Sequence, residues 1–382
     1  MGTGMSRIRL TLRIASILLL FSATASAEPG TITLDLPPGP ANPRNSEGAF
    51  ITLRDGRLLL VYTHFTGSAS DEGTAHLAGR YSDDGGQTWD AEDTLILANE
   101  GGQNTMSVSL LRLKDDRIAL FYLRKNSDAD CRLYLRYSSD EARTWSEPIL
   151  CMAELGYFVV NNDRVIQLAS GRLVAPAARH SLPGEEFRRR AEALCYLSDD
   201  HGGTWRPSAT VLEAPLESTS GLQEPGVVEL ADRRLMMLCR TDQGCQMRSW
   251  SSDGGDTWSS PELTDIRSPV SPASFKRIPG SDQLLMVWND HQALGRRPSS
   301  KRTPLTIALS SDNGLTWPNP RNLETDPDGW YCYTAIDFID DHLVLAYCAG
   351  DKQLGGLNRL RIRRIPLDQL PPATVASPTP AS

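Results

Sequence analysis

The chain has 382 residues, of which 40% are hydrophobic and 23% are charged, so it is long enough to fold around a large core. Its formal net charge is -8 at pH 7, and the sequence contains no basic stretch suited to neutralising phosphates. This balance argues against nucleic acid as a partner.

The first 27 residues have the pattern of a targeting segment. Arginines near the start precede the apolar run IASILLLFSATA, and Ala25-Ser26-Ala27 is typical of a signal-peptidase site. The run is too short for a stable membrane anchor, and no later segment is apolar enough to span a bilayer. We therefore predict a signal peptide over residues 1–27, no membrane span, and a mature protein that is secreted or periplasmic.

After the early strand TITLDL, a hairpin pattern occurs six times along the chain. Each copy is an apolar strand, a polar turn and a second apolar strand, as in LRDGRLLLVY at 53–62. A third strand follows each of the first five hairpins, and the last copy ends in RLRIRRIPL. The remaining hairpins lie at 113–122, 168–177, 230–239, 278–288 and 338–347.

Five turns after third strands share the frame Ser-x-Asp-x-Gly-x-Thr-Trp, which we call the Asp-box. Serine and aspartate in such a turn hydrogen-bond the local backbone, glycine supplies a positive φ, and tryptophan packs beneath. One carboxylate on each of five separated turns cannot converge on a ligand, so we interpret the Asp-boxes as scaffold. They begin at Ser82, Ser138, Ser198, Ser251 and Ser310, and the second has Ala142 in place of glycine.

Four strands in each of six repeats predict an all-β fold, a six-bladed β-propeller with five Asp-box turns over residues 28–368. TITLDL is expected to add the strand that closes the ring. The tail at 369–382 consists of Gln369 followed by LPPATVASPTPAS. It lacks core-forming side chains and is predicted to be disordered.

Seven cysteines lie beyond residue 27, an odd number that leaves at least one thiol free in a monomer. No CxxC pair suggests zinc. We expect most of them to be buried small hydrophobes, with room for one or two disulfides.

The predicted topology separates the two faces of the disc. Asp-boxes and hairpin turns share one face, so residues before first strands, after second strands and before third strands share the other, where functional loops tend to gather. Three arginines, two acids and a tyrosine hold such positions: Arg44, Asp71, Glu224, Arg240, Arg302 and Tyr333. Glu224 precedes GVVEL and Arg240 ends its paired strand LMMLCR, so hairpin geometry is expected to place these two side chains close together.

These segments resemble bacterial sialidases (neuraminidases) with Asp-box, or BNR, repeats over essentially the whole mature chain. QEPGVVELADRRLMMLCR resembles the stretch that bears a catalytic glutamate and a carboxylate-binding arginine, which fall on Glu224 and Arg240. KRTPLTIALSSDNGLTW, YTAIDFIDDHL and ASDEGTAHLAGRYSDDGG resemble the segments of a second arginine, the nucleophilic tyrosine and the acid/base aspartate. The resemblance assigns these roles to Arg302, Tyr333 and Asp71, and a third arginine to Arg44.

The resemblance implies an exo-α-sialidase-like hydrolase that removes a terminal sialic acid, or a related 2-keto acid sugar, with retention through a tyrosyl-glycosyl intermediate. Arginines suit the substrate carboxylate because they form charge-assisted forks. A tyrosine nucleophile stays neutral until a base takes its proton, which avoids repulsion by that carboxylate. A sialylated or other acidic-sugar glycan is the expected partner, and neither metal nor cofactor is needed.

Two features depart from the family pattern. Sialidases usually show Arg-Ile-Pro where this chain has PRNSEG around Arg44. Many also carry an arginine shortly before the acid/base aspartate, whereas THFTGSASD has His64 there. We take Asp130 as a substrate-binding candidate that would rebuild the pocket, and the same segments offer Arg124, Asp128, Asn161 and Asp163.

Alternatives remain open from the sequence. Tyr331 competes with Tyr333 for the nucleophile's place, and each candidate taken singly has a structural interpretation. The alternative functions are a non-catalytic glycan-binding propeller and a hydrolase of a different acidic sugar on the same fold.

Overall fold

The computed structural model describes residues 1–2, 28–294 and 300–374. These residues form an all-β protein of 25 strands with two three-residue 3-10 helices, Gln292–Leu294 and Leu367–Gln369. The predicted signal peptide lies outside the described residues except for its first two. Within the described ranges, no helix has the length and apolar character needed to cross a membrane.

All six predicted hairpins are antiparallel strand pairs, and they define repeats 1 to 6. Their turns close alike: in repeat 1 the Leu53 N–H donates to the Arg57 carbonyl at 2.8 Å. The pairs are β2 and β3 (Arg44–Thr52, Leu58–Phe65), β6 and β7 (Asn104–Arg112, Ile118–Ser127), β11 and β12 (Ile166–Gln167, Leu173–Ser181), β15 and β16 (Gln223–Glu229, Leu235–Arg240), β19 and β20 (Ser274–Arg277, Leu284–Trp288), and β23 and β24 (Trp330–Ile339, His342–Gly350).

Two outer strands complete each of the first five repeats. Repeats 1, 4 and 5 are separate four-stranded sheets, whereas β10 (Tyr157–Val159) joins repeats 2 and 3 into one nine-stranded sheet. The outer strands are β4 and β5 (Ala75–Ser82, Thr94–Leu97), β8 and β9 (Asp130–Ser138, Ile149–Leu150), β13 and β14 (Glu192–Ser198, Arg206–Pro207), β17 and β18 (Cys245–Ser251, Glu262–Arg267), and β21 and β22 (Leu305–Ser310, Arg321–Glu324).

Repeat 6 combines the two ends of the described fold. Its sheet has the order β1-β25-β24-β23, in which β1 (Thr31–Leu36) pairs antiparallel with β25 (Leu360–Pro366). The pairing predicted for TITLDL is therefore confirmed. Arg361 holds the same edge with two bonds to the Asp35 carboxylate, at 2.8 and 2.9 Å.

The predicted disordered tail starts too early at residue 369. Gln369 ends a 3-10 helix, Ala373 packs into a core cluster, and the Asn319 side chain donates to the Pro372 carbonyl at 3.0 Å and to that of Thr374 at 2.8 Å. These contacts tie the segment to repeat 5. Residues 375–382 lie outside the described residues.

The core lies between the faces of neighbouring sheets. Val61 of repeat 1 packs with Leu120 of repeat 2, while Leu60 on the opposite face packs with Ile362 of repeat 6. Alternating strand residues thus bury both faces of one sheet. The first strands lie innermost, since β2 contacts both β6 and β23, and β19 contacts both β15 and β23.

Each Asp-box carboxylate binds its own turn. In the first box, Asp84 accepts from the Thr88 N–H at 2.8 Å and from the Thr88 hydroxyl at 2.7 Å, and the Gly86 N–H donates to Ser82 Oγ at 2.8 Å. The other four boxes repeat this pattern. The scaffold interpretation is confirmed, because the carboxylate oxygens already have local partners.

Candidate functional site

The innermost strands bend where the candidate residues lie. The pairing register shifts in β2, β6, β15 and β23, and the bulged residue in each has a positive φ that non-glycine residues rarely adopt. These residues are Glu47 (57°), Ser107 (55°), Glu224 (44°) and Tyr333 (57°). A bulge changes the direction of a side chain relative to the alternation of the strand. The four bulges therefore bring side chains of different repeats into contact.

Glu224 of repeat 4 and Tyr333 of repeat 6 are in contact, although 109 residues separate them in the chain. The Tyr333 hydroxyl donates to Glu224 Oε1 at 2.9 Å, and Arg240 Nη1 donates to Glu224 Oε2 at 2.8 Å. The latter contact is the one that the β15–β16 hairpin predicts. Both oxygens of the carboxylate are therefore engaged, one by a phenol and one by a cation.

Electrostatics favour a charged Glu224 beside a neutral Tyr333. Burial alone would raise the pKa of Glu224, but the charges of Arg240 and Arg302 outweigh it and lower that pKa below its usual range. Burial, together with the Glu224 carboxylate, raises the pKa of Tyr333 well above its usual range. The pair is an ionised acceptor beside a phenol that keeps its proton.

Arg302 is a buried cation, and no carboxylate among the described residues is hydrogen-bonded to it. Only 6% of the residue is exposed, and its guanidinium lies over the rings of Tyr333 and Trp330, at 5.2 and 5.3 Å from their centroids. Nε and Nη1 have no hydrogen-bond partner among the described residues. Cation–π contacts hold the group in place, so its charge remains available to an anion.

Arg44, in contrast, already has partners on every nitrogen. Nη1 donates to Asp71 Oδ1 at 2.6 Å, Nη2 to Glu47 Oε1 at 3.2 Å, and Nε to Ser46 Oγ at 2.9 Å. Asp71 remains accessible, since 56% of its side chain is exposed. Arg44 therefore connects a buried acid to a solvent-facing one.

Glu47 is a buried acid that the sequence analysis did not single out. Burial raises its pKa to about 7, although Arg44 acts to lower it, and the charges of Asp71 and Glu224 add to the rise. The Ser107 hydroxyl donates to its second oxygen at 2.9 Å. Its position in repeat 1 matches that of Glu224 in repeat 4, six residues before the leucine that opens the turn. Alignment of the six hairpins could have identified it.

The Asp71 loop is held from repeat 2. Asn104 Nδ2 donates to the backbone carbonyls of Asp71 at 2.8 Å and Gly73 at 3.0 Å. The Lys125 ammonium is buried beside the same loop, 3.4 Å from the Asp71 carbonyl and 3.6 Å from the Glu72 carboxylate. Sequence analysis missed both residues, because a buried lysine and asparagine carry no pattern of their own.

Other predicted residues lie outside this network. Tyr331 is buried in the core cluster between repeats 5 and 6, so the structure brings Tyr333 rather than Tyr331 to Glu224. His64 points to the outer strands, where it stacks on His76 at 4.6 Å and bonds Asp93 at 3.1 Å. It therefore does not occupy an arginine's place in the site.

The acids proposed to rebuild the pocket have local partners. Asp130 accepts from Arg132 Nε at 2.6 Å and from Asn126 at 2.8 Å, and no described residue connects its carboxylate to the central arginines by a hydrogen bond. Asp163 accepts from the Ile336 N–H at 2.9 Å and from Lys276 at 3.2 Å. Asp163 ties repeat 3 to repeats 5 and 6.

Comparison with known families identifies the architecture. A family model described as a BNR repeat-like domain matches residues 56–343. The chain belongs to this family. The matched span includes all five Asp-boxes and all the candidate site residues except Arg44 and Glu47.

Curated relatives with sequence similarity to this BNR-repeat chain carry sialidase names. An "Anhydrosialidase" of Macrobdella decora is 29% identical over 66% of this chain and 34% of its own length. A "Sialidase" of Bacteroides fragilis is 26% identical over 56% of this chain and 38% of its own. The chain thus spans roughly a third of these relatives' length. "Sialidase-3" of Bos taurus is 24% identical, with 72% of each chain covered.

Solved structures share the fold. The "Hadza microbial sialidase Hz136" superimposes with a TM-score of 0.68 at 22% identity, covering 86% of this chain and 67% of that one. The intramolecular trans-sialidase from Ruminococcus gnavus has a TM-score of 0.67 at 18% identity, with coverages of 91% and 99%. At these identities the similarity concerns the all-β fold.

Proposed function

We propose that this BNR-repeat protein is a secreted, exo-acting sialidase-like glycoside hydrolase that removes a terminal sialic acid, or a related 2-keto acid sugar, from a glycan. In this proposal the six repeats are blades of a propeller, with the site at its centre. The contact of 2.9 Å between Tyr333 Oη and Glu224 Oε1 carries the proposal. The sialidase names of several relatives and the signal-peptide pattern at 1–27 support it.

The phenol and carboxylate suit attack at an anomeric carbon that bears a negative charge. A carboxylate nucleophile would be repelled by the carboxylate of a sialic acid, whereas a neutral phenol is not. As Tyr333 Oη bonds to the anomeric carbon, its proton passes to Glu224, which is already its hydrogen-bond acceptor. A tyrosyl-glycosyl intermediate results, and its hydrolysis from the same face retains the anomeric configuration.

Arg302 and Arg240 are the groups proposed to bind the substrate carboxylate. Arg302 is the stronger candidate, since its charge is buried beside the nucleophile and no carboxylate of the described part of the chain bonds to it. Arg240 is half of an ion pair with Glu224, so its second role is to keep the base charged. Charge-assisted bonds of this kind are the strong class of hydrogen bonds.

Asp71 is proposed as the acid/base. It is the exposed acid of the network, and a leaving glycan must depart towards solvent. It would protonate the leaving oxygen and then take a proton from the attacking water. Arg44 orients it through the bond of 2.6 Å.

Hydrolysis of a fluorogenic sialoside by the mature protein tests the proposal, with Tyr333→Phe and Tyr331→Phe measured side by side. The two variants remove the same atom, but only Tyr333 lies beside Glu224. We expect kcat to fall by about 10³-fold or more in Tyr333→Phe and to change little in Tyr331→Phe. NMR of the first-released sugar should show the α-anomer, as retention requires.

Other outcomes would support the alternatives. Binding of free sialic acid that Arg302→Ala abolishes, without turnover, would identify a glycan-binding protein. Turnover only of another keto-acid glycoside would identify a different acidic sugar as the substrate. Equal losses of kcat in Tyr333→Phe and Tyr331→Phe would contradict the assignment of Tyr333 as the nucleophile.

A further inference from the structure

Two cysteines lie next to the candidate nucleophile. Cys332 on β23 is the direct cross-strand partner of Cys348 on β24, and both thiols are buried. The two thiols are close enough to each other to interact electrostatically. All seven cysteines are free in this structure, so the pair is a dithiol here.

The strand register gives this pair a spacing suited to a disulfide. The Tyr331 N–H donates to the Arg302 carbonyl and the Ala349 N–H to the Arg359 carbonyl, so both point away from the β23–β24 ladder. The next pair, Cys332 with Cys348, is therefore a hydrogen-bonded pair, for which Cα atoms lie about 5.5 Å apart. That spacing is within the range of about 4.4–6.8 Å found in disulfides.

The dithiol also lies near two arginines of the site. The charge of Arg302 acts on the Cys332 thiol, and the charge of Arg44 acts on the Cys348 thiol. Cys332 and Cys348 pack with Tyr333 in one buried cluster. A change in the bonding of either sulfur therefore alters the electrostatic environment of Arg302. It also alters the backbone beside the bulge at Tyr333.

We propose that Cys332 and Cys348 form a reversible disulfide and that this bond lowers the activity of the site. Its effect on activity rests on the proposed glycosidase function, whereas formation of the bond does not. With a small peroxide as oxidant, the Cys332 thiolate attacks one peroxide oxygen, which gives a sulfenic acid and releases water after protonation. The Cys348 sulfur then attacks Cys332 Sγ and a second water leaves, so two thiols are oxidised and one peroxide is reduced.

The environments of the two sulfurs suit these roles. Burial acts against ionisation of Cys332, but the contacts with Cys348 and the charge of Arg302 outweigh it and lower the pKa of the Cys332 thiol. Burial raises the pKa of Cys348. Cys332 is thus the better nucleophile, and Cys348 the resolving thiol.

The disulfide would weaken substrate binding and attack together. Once Cys332 Sγ is bonded to Cys348, it can no longer carry a negative charge beside Arg302, and β23 is tied covalently to β24 beside the bulge. A displacement of about 1 Å in a catalytic site can cost up to 10²-fold in rate. We expect kcat/KM for the sialoside to fall by about tenfold or more on oxidation and to recover with dithiothreitol.

The experiment treats the reduced mature protein with hydrogen peroxide, removes the peroxide with catalase, and then alkylates the denatured protein. The expected product carries two alkyl groups fewer than the reduced protein, with a linked peptide that contains Cys332 and Cys348. Cys332→Ala, which removes the attacking thiol, should lose neither alkyl groups nor activity after peroxide. Cys195→Ala is the matched control, because Cys195 is equally buried beside Cys239 but in another core cluster, and it should respond like the wild type.

The mass measurement separates failure of this inference from failure of the proposed function. Full alkylation after peroxide, or a link between other cysteines, overturns the inference whether or not the protein hydrolyses a sialoside. A Cys332–Cys348 link that leaves kcat/KM unchanged overturns the claim that this disulfide lowers the activity of the site. If the protein has no turnover, binding of sialic acid to the linked form replaces kcat/KM as the readout, with the same tenfold loss expected.

Discussion

At the scale of single residues, the site contains more acid than one glycosidase reaction uses. Glu224 and Asp71 have proposed catalytic roles, whereas Glu47 is buried against Arg44 and Ser107 without one. Burial raises its pKa to about 7, so its charge changes within the neutral pH range. Protonation of Glu47 alters the charge next to Arg44 and, through Arg44, next to Asp71.

Glu47 therefore makes folding stability depend on pH. Its folded-state pKa of about 7 lies above the ordinary value of 4.5, so its contribution is present below about pH 4.5 and is lost as pH rises through about 7. Relative to Glu47→Gln, we expect the wild type to lose on the order of 3 kcal/mol of unfolding free energy across that window. Urea denaturation at several pH values measures this. A difference between the two proteins that stays the same at every pH would contradict a raised pKa of Glu47.

A second prediction concerns the support of Asp71 and rests on the proposed function. Asn104→Ala removes the amide that holds the backbone of the Asp71 loop, so proton donation to the leaving oxygen should suffer. We expect kcat/KM to fall by about 10–100-fold for a sialoside with an alcohol leaving group, and much less for an aryl sialoside, which needs little protonation. Asn126→Ala is the control, because the Asn126 side chain bonds Gly102 and Asp130 and not the Asp71 loop. Equal losses on both substrates would count against this role.

At the scale of elements, two devices repeat through the chain. Asp-box turns end the third strands, and bulges with a positive φ interrupt the first strands. The boxes could be predicted in full, because their hydrogen bonds join residues two to four apart. The bulges could not, since two glutamates, a serine and a tyrosine occupy these positions, and none of these residue types favours a positive φ. Repeat 5 has Pro272 at the aligned place, where the proline ring excludes a positive φ.

The Asp-box glycines provide a matched test of backbone strain against steric clash. Gly202 and Gly255 have φ of 93° and 92°, so alanine meets the same backbone strain at both, about 1–2 kcal/mol. A Cβ on Gly202 would lie 2.4 Å from Tyr137 Oη, whereas the nearest atom to one on Gly255 is 3.4 Å away. Gly202→Ala should therefore lower the unfolding free energy by about 1–3 kcal/mol more than Gly255→Ala. Equal losses in chemical denaturation would contradict this steric account.

At the scale of the whole molecule, the sheet of repeat 6 joins the two ends of the described fold. Pairing of β1 with β25 covers a sheet edge that would otherwise present unpaired backbone groups to solvent. Arg361 strengthens this joint through Asp35 and also contacts Glu324 of repeat 5 at 3.0 Å. The first strand therefore stabilises a sheet whose other strands begin only at Trp330.

Deletion of residues 28–36 tests this joint. We expect a lower thermal midpoint and aggregation at concentrations where the wild type stays monomeric, because β25 becomes an exposed edge. Differential scanning calorimetry and light scattering measure the two effects. Asp35→Asn keeps the strand and weakens only the ion pair, so its midpoint should change by a small fraction of the deletion's effect. If the deletion lowers the thermal midpoint no more than Asp35→Asn does, the pairing of β1 with β25 contributes little to stability.

The sequence by itself determined the parts of this protein that depend on near neighbours. Hairpin periodicity predicted the strand pairs, the Asp-box frame predicted its own hydrogen bonds, and hairpin register predicted that Glu224 and Arg240 pair. Each of these follows from contacts within one repeat, where the spacing of residues sets the geometry.

Only the tertiary structure decided which residues meet across repeats. Strand alternation places Tyr331 and Tyr333 on the same face, but the bulge at Tyr333 turns its hydroxyl to Glu224 while Tyr331 stays in the core. The bond of Ser107 to Glu47 and the bonds of Asn104 to the Asp71 loop likewise depend on how repeats 1 and 2 pack. Such contacts join residues far apart in the chain, and a local pattern carries no record of their distance in space.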